Sequence, residues 1–406
     1  MHHHGCVMKA GNFLIVGGYG KVGRTIATLL AREFPQHVVV GGRSFDKANQ
    51  LSVELDRNVL PVELDVSSEM ISESFLDDVS VVIMCIDQQD TRFVERCIHR
   101  GIHYIDITAD YHFLSKLEAL NATAKEAGST TVLSVGIAPG LTNILASLAK
   151  AKGRNVSHID LFVMLGLGDE HGEAAQRWTI QNLHRTFWIR DRLGFRQVKG
   201  FHESKTAHFP DGLGIRRAYR FNFSDQHVIP ETLHIDSAST WFCLDSPFMT
   251  KLLALGAKAD VLRVLRYQTI QNVVISLLRS ISFGSDAFAL KAEAYHSPEK
   301  AFPIFECSIV GRGEGYITGV VAAKVASLIY KSPVLPGVFH LEQIVNPVTF
   351  VNEMEQEGLK YYESIMLDKK RNLLSKPHTI VWTIICIVMV LAYVSQVVLL
   401  VFLCAD

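Results

Sequence analysis

Short apolar runs alternate with amphipathic stretches along the first 150 residues. Phe13-Leu14-Ile15-Val16 and His37-Val38-Val39-Val40-Gly41 each read as a short buried strand, as do residues 59–64, 79–86, 103–108 and 130–135. The stretches between them, at 25–32, 91–100 and 112–127, carry helical spacing, and Gly128 supplies a C-cap to the last. A further helix starts near Thr142. Regular alternation of strand and helix predicts an α/β fold with a Rossmann-type doubly wound parallel sheet.

From His158 the pattern changes. Residues 158–167, 195–201, 218–223, 288–296 and 303–310 read as strands, with helical spacing at 174–187, 247–255 and 269–281. This predicts an inserted α+β domain with a mixed or antiparallel sheet. A small-residue helix at 320–330 suits close packing and a return to the first domain. Residues 380–403 contain no charged side chain, and such a helix, rising about 1.5 Å per residue, spans a hydrocarbon core of about 30 Å. The expected organisation is a leader at 1–11, a nucleotide domain at 12–150, and a second domain at 151–313. A return segment at 314–365, a basic linker at 366–378 and a transmembrane anchor at 379–404 complete it.

Composition adds three points. Formal net charge is −1, so electrostatics do not favour nucleic acid as a partner. The seven cysteines are scattered without a Cys-x-x-Cys pair, which suits a reducing compartment. Lys369, Lys370, Arg371 and Lys376 precede the apolar tail, which by the positive-inside rule places the enzyme body in the cytoplasm, held to a membrane by one C-terminal helix.

The first strand runs into Gly17-Gly18-Tyr19-Gly20-Lys21-Val22-Gly23, and a helix follows. That order is the dinucleotide-binding fingerprint. Gly18 permits the turn, Gly20 lets a pyrophosphate approach the backbone, and Gly23 lets the helix pack close to the strand. NAD enzymes usually place an acid at the end of the second strand, for the ribose 2′-hydroxyl. Here Gly42-Arg43-Ser44 stands in its place, with Lys47 one turn on. A guanidinium there suits a 2′-phosphate, which favours NADP(H) over NAD(H). Asp65 and Val66 end the third strand and offer an adenine contact, and Ile86 and Asp87 end the fourth, lining the crevice where the cofactor should lie. At the sixth strand's end, Pro139-Gly140-Leu141-Thr142-Asn143 turns into a helix whose free N–H groups could hold a substrate carboxylate. Thr142 as a simple N-cap is the plainer reading.

Five segments occur in order: the glycine loop, Gly42-Arg43-Ser44, Tyr104-Ile105-Asp106, Pro139 to Asn143, and Gly168-Asp169-Glu170-His171-Gly172. Gly337-Val338 and Glu342 follow late in the chain. The combination resembles the saccharopine dehydrogenase-like family, over roughly residues 10–360. The resemblance implies a Rossmann domain binding NAD(P), an inserted substrate domain, subunits paired as a homodimer, and hydride transfer at a C–N bond of an amino-acid-derived small molecule. The uncharged tail is not part of that family's pattern. It motivates a second reading, a membrane-tethered reductase of a lipophilic carbonyl or C=C substrate. A non-catalytic NADP(H)-sensing protein is a third.

Imine reduction needs a hydride on carbon and a proton on nitrogen. His171, in an ionisable loop before a helix, is a candidate for the proton, against the reading of its neighbours Asp169 and Glu170 as ordinary first-turn acids. Asp106 and Asp110 lie after a strand in the crevice region and could orient the nicotinamide ribose or a substrate ammonium, or could be structural. Gly140, Thr142, Asn143 and Arg177 are the substrate-binding candidates. No metal site is expected among the seventeen histidines.

Overall fold

In the first half of the chain lie β1 (Asn12–Val16), β2 (Val38–Gly42), β3 (Val59–Glu63), β4 (Val79–Met84), β5 (His103–Asp106) and β6 (Thr130–Leu133). Then come β7 (His158–Leu165), β8 (Thr186–Asp191), β9 (Gly194–Lys199), β10 (Ser204–Phe209), β11 (Gly214–Arg220) and β12 (Ser237–Leu244). The last four are β13 (Ala287–Tyr295), β14 (Phe305–Arg312), β15 (Gly337–His340) and β16 (Lys360–Ile365). The computed structural model describes residues 11–365, apart from 69–72, 170–171, 192–193, 281–283, 301 and 333.

The first sheet has the order β15-β6-β5-β4-β1-β2-β3, and its pairings are parallel. Its central strands are buried on both faces, which is why they read as unbroken apolar runs. Strand order reverses between β1 and β4, so a crevice opens at their carboxyl ends. The seventh strand, β15, arrives from far along the chain and pairs with β6 from Gly337↔Thr130 to His340↔Leu133. The helix Glu314–Lys331 leads back to it and lies on the helix Lys21–Glu33. A Cβ on Gly319 would stand 2.6 Å from Thr25 Cβ, so the two helices approach as closely as a missing side chain allows.

The second sheet is mixed, in the order β10-β11-β12-β7-β13-β14-β16. It curls far enough for its edges to meet. Asp211, in the β10–β11 turn, accepts from Lys360 Nζ at 3.0 Å and from the Tyr362 hydroxyl at 3.1 Å, both on β16. The enclosed face holds Phe162, Phe209 and Trp241 beside a paired polar network. There Asp160 accepts from Trp241 Nε1 at 2.6 Å and pairs with Lys205, and His158 bonds Ser237 at 2.8 Å.

The expected helix at 112–127 is two helices, Tyr111–Glu118 and Asn121–Glu126. The expected transmembrane helix needs a larger correction. Among the described residues no helix is long and apolar enough to cross a membrane. Residues 366–378 and 379–404, which carried that expectation, lie outside the described residues, as does the leader up to residue 10. Among the described residues the fold class is therefore α/β, a Rossmann-type parallel sheet joined to a mixed-sheet α+β domain, with no membrane-spanning helix.

Candidate active site

The glycine loop closes the carboxyl end of β1. The Gly20 amide donates to Gly17 O at 2.9 Å, and Gly20 stands as N-cap of the helix Lys21–Glu33 with no side chain over the first turn. The leading N–H groups of that helix are thus available to an anion. Gly23 is sterically required, because a Cβ there would lie 2.4 Å from Gly17 O. Ile86, at the end of β4, is partly exposed and leans over the loop, its Cγ2 2.6 Å from a Cβ built on Gly17. Val22 is half-buried on the helix. Lys21 points instead toward the second domain, and its Nζ lies 2.7 Å from Asp169 Oδ1 just beyond β7.

At the end of β2 the Tyr19 ring lies where a side chain on Gly42 would be, with Cε1 2.5 Å from a built Cβ. The Tyr19 hydroxyl accepts from the Ser44 amide at 3.3 Å. Arg43 and Lys47 are exposed beside it. The Ser44 hydroxyl caps the helix Phe45–Glu54, accepting from Lys47 N at 3.4 Å. Asp65 is exposed and closes a turn on Ser67, whose hydroxyl and amide donate to it at 2.6 and 3.0 Å. Those bonds, with help from the Arg43 charge, hold its carboxyl below the usual range. Val66 packs on the core rather than into the crevice. A loop that cradles phosphate and a cation in place of an acid together fit an NADP dinucleotide.

The crevice next to this loop is acidic. Asp106 ends β5, and its carboxylate is buried. Oδ1 accepts from Thr108 N at 2.9 Å, and Oδ2 accepts from the Tyr104 hydroxyl at 2.9 Å and Gln88 Nε2 at 3.3 Å. Burial pushes the Asp106 carboxyl up to about 6 against those bonds, and the charge of Asp87 adds to the rise. Asp87 stands solvent-facing at the end of β4, and it too is raised, first by desolvation in the crevice and then by Asp110. Asp110 caps the helix Tyr111–Glu118, accepting from His112 N at 2.9 Å. Three carboxylates, Asp87, Asp106 and Asp110, therefore follow the ends of the adjacent strands β4 and β5.

The far wall belongs to the second domain. Tyr111 stacks on His227 with ring centroids 4.5 Å apart and planes 16° from parallel. His227 Nε2 donates to Asn222 Oδ1 at 2.8 Å, and burial lowers its imidazole to about 4. Trp178 meets Phe221 and Phe223 at 5.6 and 5.3 Å on the helix Glu173–Asn182, where Arg177 is half-buried.

Of the substrate-binding candidates, Gly140 (φ +133°) makes the tight loop, since a Cβ on it would stand 2.0 Å from Gly136 O. It, and not Thr142, is the N-cap of the helix Leu141–Lys152, and its amide donates to Asn143 Oδ1 at 3.1 Å. Thr142 and Asn143 are fully buried, behind the crevice rather than lining it. His171 lies outside the described residues. Sequence reasoning missed His227 and Asp225. Asp225 is buried and raised to about 6 by that burial, against bonds from Thr240 and Gln226. Both sit on the helix Asp225–Thr232, whose apolar spacing is interrupted and gave no signal. Among the described residues no group of His, Cys, Asp or Glu is arranged to hold a metal ion.

Residues 13–132 match the family model of the saccharopine dehydrogenase NADP binding domain. The nucleotide domain belongs to the saccharopine dehydrogenase-like NADP-binding family. The chain is accordingly an NAD(P)-dependent oxidoreductase, with NADP as its cofactor. No curated protein matches the chain in sequence. Among solved structures it is similar to an apo, histidine-tagged saccharopine dehydrogenase (L-Glu forming) from Saccharomyces cerevisiae. That match has TM-score 0.58 and 13% identity, covering 88% of this chain and 100% of the other. It is also similar to a DAP dehydrogenase from C. glutamicum in complex with DAP, at TM-score 0.41 and 11% identity over 85% of this chain and 99% of that one. At such identities the first likeness is one of fold, and the second is too loose to carry an argument.

Proposed function

We propose that this saccharopine dehydrogenase-like chain transfers a hydride between NADP(H) and the carbon of a C–N bond, in a substrate derived from an amino acid and a carbonyl partner. NADPH, when bound, supplies the hydride, and the loop at 17–23 with Arg43, Ser44 and Lys47 would hold it. The observation that carries the reading is the gathering of Asp87, Asp106 and Asp110 beyond the ends of β4 and β5, with Asp106 buried and hydrogen-bonded. A protonated imine is a cation, and carboxylates in a partly desolvated crevice stabilise it far more than they would in water. A neutral carbonyl or C=C bond develops negative charge on accepting hydride, and this crevice would oppose it.

In this reading Asp87, the solvent-facing member, exchanges the proton of the amine nitrogen. Desolvation, and then the charge of Asp110, raise its carboxyl, so it holds a proton more readily than an ordinary aspartate. Asp106 is a positioning residue, fixed by Thr108, Tyr104 and Gln88, that adds negative potential behind it. The Tyr111–His227 stack supplies an apolar wall that excludes water. The test is NADPH oxidation with paired amino acids and aldehydes or keto acids. Turnover is expected with at least one pair, and Asp87→Asn should lower kcat/KM by about 100-fold while leaving NADPH affinity unchanged. Tight NADPH binding without turnover on a broad panel would favour a sensor instead.

A further inference from the structure

A second cavity, of about 380 Å³, lies on the outer side of the second domain, between β11 and the helix Pro247–Lys258. Its origin is a splay in the sheet. β11 pairs with β12 only at Tyr219↔Phe242 and Arg220↔Trp241, so Gly214–Ala218 diverges from its neighbour and leaves a groove. The helix presents residues 247, 250, 251, 254, 255 and 258 to that groove, a single face at helical spacing.

Four cations line it: Arg216 and Arg217 from the strand, Lys251 and Lys258 from the helix. No carboxylate lines it, and among the described residues none of the four forms an ion pair. The Arg216 Nε is buried without a hydrogen-bond partner. The nearest acid on the adjoining loop, Asp245, is turned away, accepting from Leu167 N, Ser285 N and the Ser285 hydroxyl. Other surface cations do pair, as Arg196 does with Glu203 and Lys360 with Asp211. Like charges gathered in a concave groove raise the local potential and concentrate anions. The rim is apolar as well. Ile215 is 69% and Leu255 is 55% exposed, and Phe248 and Leu252 continue the exposed stripe along the helix. Exposed apolar area of this kind beside a cavity marks a contact surface.

We propose that this groove binds a phosphate-bearing amphiphile, its anionic head between the two arginines and two lysines and its apolar part along Ile215 and Leu255. The site is separate from the dinucleotide crevice and does not depend on the C–N reading. Arginine forks match phosphate oxygens two at a time, which favours a phosphate over a chloride-like ion.

The probes are hexyl phosphate, inorganic phosphate and 1-hexanol, titrated by calorimetry into the full chain saturated with NADPH. Saturation keeps the probes out of the cofactor crevice. Hexyl phosphate is expected to bind at least ten times more tightly than either other probe, and less tightly as salt rises. Arg217→Ala with Lys258→Ala, both at solvent-facing positions, should weaken it at least tenfold without changing NADPH affinity or the melting temperature. Equal binding of inorganic phosphate would overturn the amphiphile, and equal binding of 1-hexanol would overturn the anionic head. Unchanged hexyl phosphate affinity in the double variant would overturn the site.

Discussion

We propose that Arg43 decides which dinucleotide the loop prefers. It is exposed at the end of β2, its charge reaches Asp65, and no acid occupies the position from which a ribose 2′-hydroxyl would be held. A guanidinium–phosphate pair is a charge-assisted bond worth roughly 1.5–3 kcal/mol. Arg43→Ala should therefore weaken NADPH binding by about 10- to 100-fold and leave NADH binding unchanged, measured by nicotinamide fluorescence. An equal loss for both cofactors would mean that Arg43 only supports the loop. Its place was legible from the chain alone, because its neighbours, a strand end and a helix start, are local. Asp106 was legible as a strand-end acid but not as a bonded one. Its partner Tyr104 reads as core, and only the fold turns that hydroxyl to Oδ2. Thr142 and Asn143 read as loop residues facing a ligand, yet the Gly140 turn tucks both inside.

Elements of the first domain were readable for a physical reason. Strands of a parallel sheet are buried on both faces, so they appear as apolar runs cut by glycine or aspartate. The second domain defeats that rule. β12, Ser237–Leu244, is a central strand that the hydrophobic pattern does not reveal, because Ser237 and Ser239 face the enclosed polar network. Ser237 bonds His158, and the Ser239 hydroxyl accepts from Arg220 at 3.1 Å. β8 reads as the end of a helix, and β10 has too few apolar positions to declare itself. The return helix Glu314–Lys331 does show itself, through its small residues. Its close packing makes a prediction at this scale. Gly319→Val should drive the helix off Lys21–Glu33, lowering stability by about 1–3 kcal/mol in denaturant unfolding, as overpacking does. NADPH affinity should fall with it, since Lys21–Glu33, the helix that loses this contact, is the one whose leading N–H groups are proposed to hold the phosphates. Wild-type stability in this variant would show that the contact at Thr25 can relax at no cost.

For the whole molecule, two buried carboxyls set part of the pH response. Asp106 and Asp225 each stand at about 6 when folded. An unfolded Asp titrates near 3.9, so the folded state holds extra protons between roughly pH 4 and 6. Stability from these groups is thus greatest below pH 4, declines as pH rises to about 6, and is flat above. Each contributes on the order of 3 kcal/mol across that window. Glu203, drawn down to about 2 mainly by its bond from Arg196, acts oppositely and loses its contribution as pH falls through the acid range. Asp225→Asn keeps an acceptor for Gln226 N and the Thr240 hydroxyl and cannot ionise. The melting temperature of this variant, relative to wild type, should therefore climb from pH 4 to about pH 6 and level off above it. A difference that stays constant over that range would mean Asp225 is ionised throughout.

The first sheet carries at its carboxyl end a glycine loop before an open helix N-terminus, an arginine where an acid would favour NAD, and an acidic crevice. The most direct test follows the hydride. The full chain is incubated with NADPH carrying deuterium at the nicotinamide C4 and with paired amino acids and carbonyl compounds, and the products are read by mass spectrometry. The account predicts a secondary amine one mass unit heavier, with deuterium on the carbon next to nitrogen. Deuterium on an alcohol or alkane carbon, or no labelled amine from any pair while NADPH binds tightly, would contradict it.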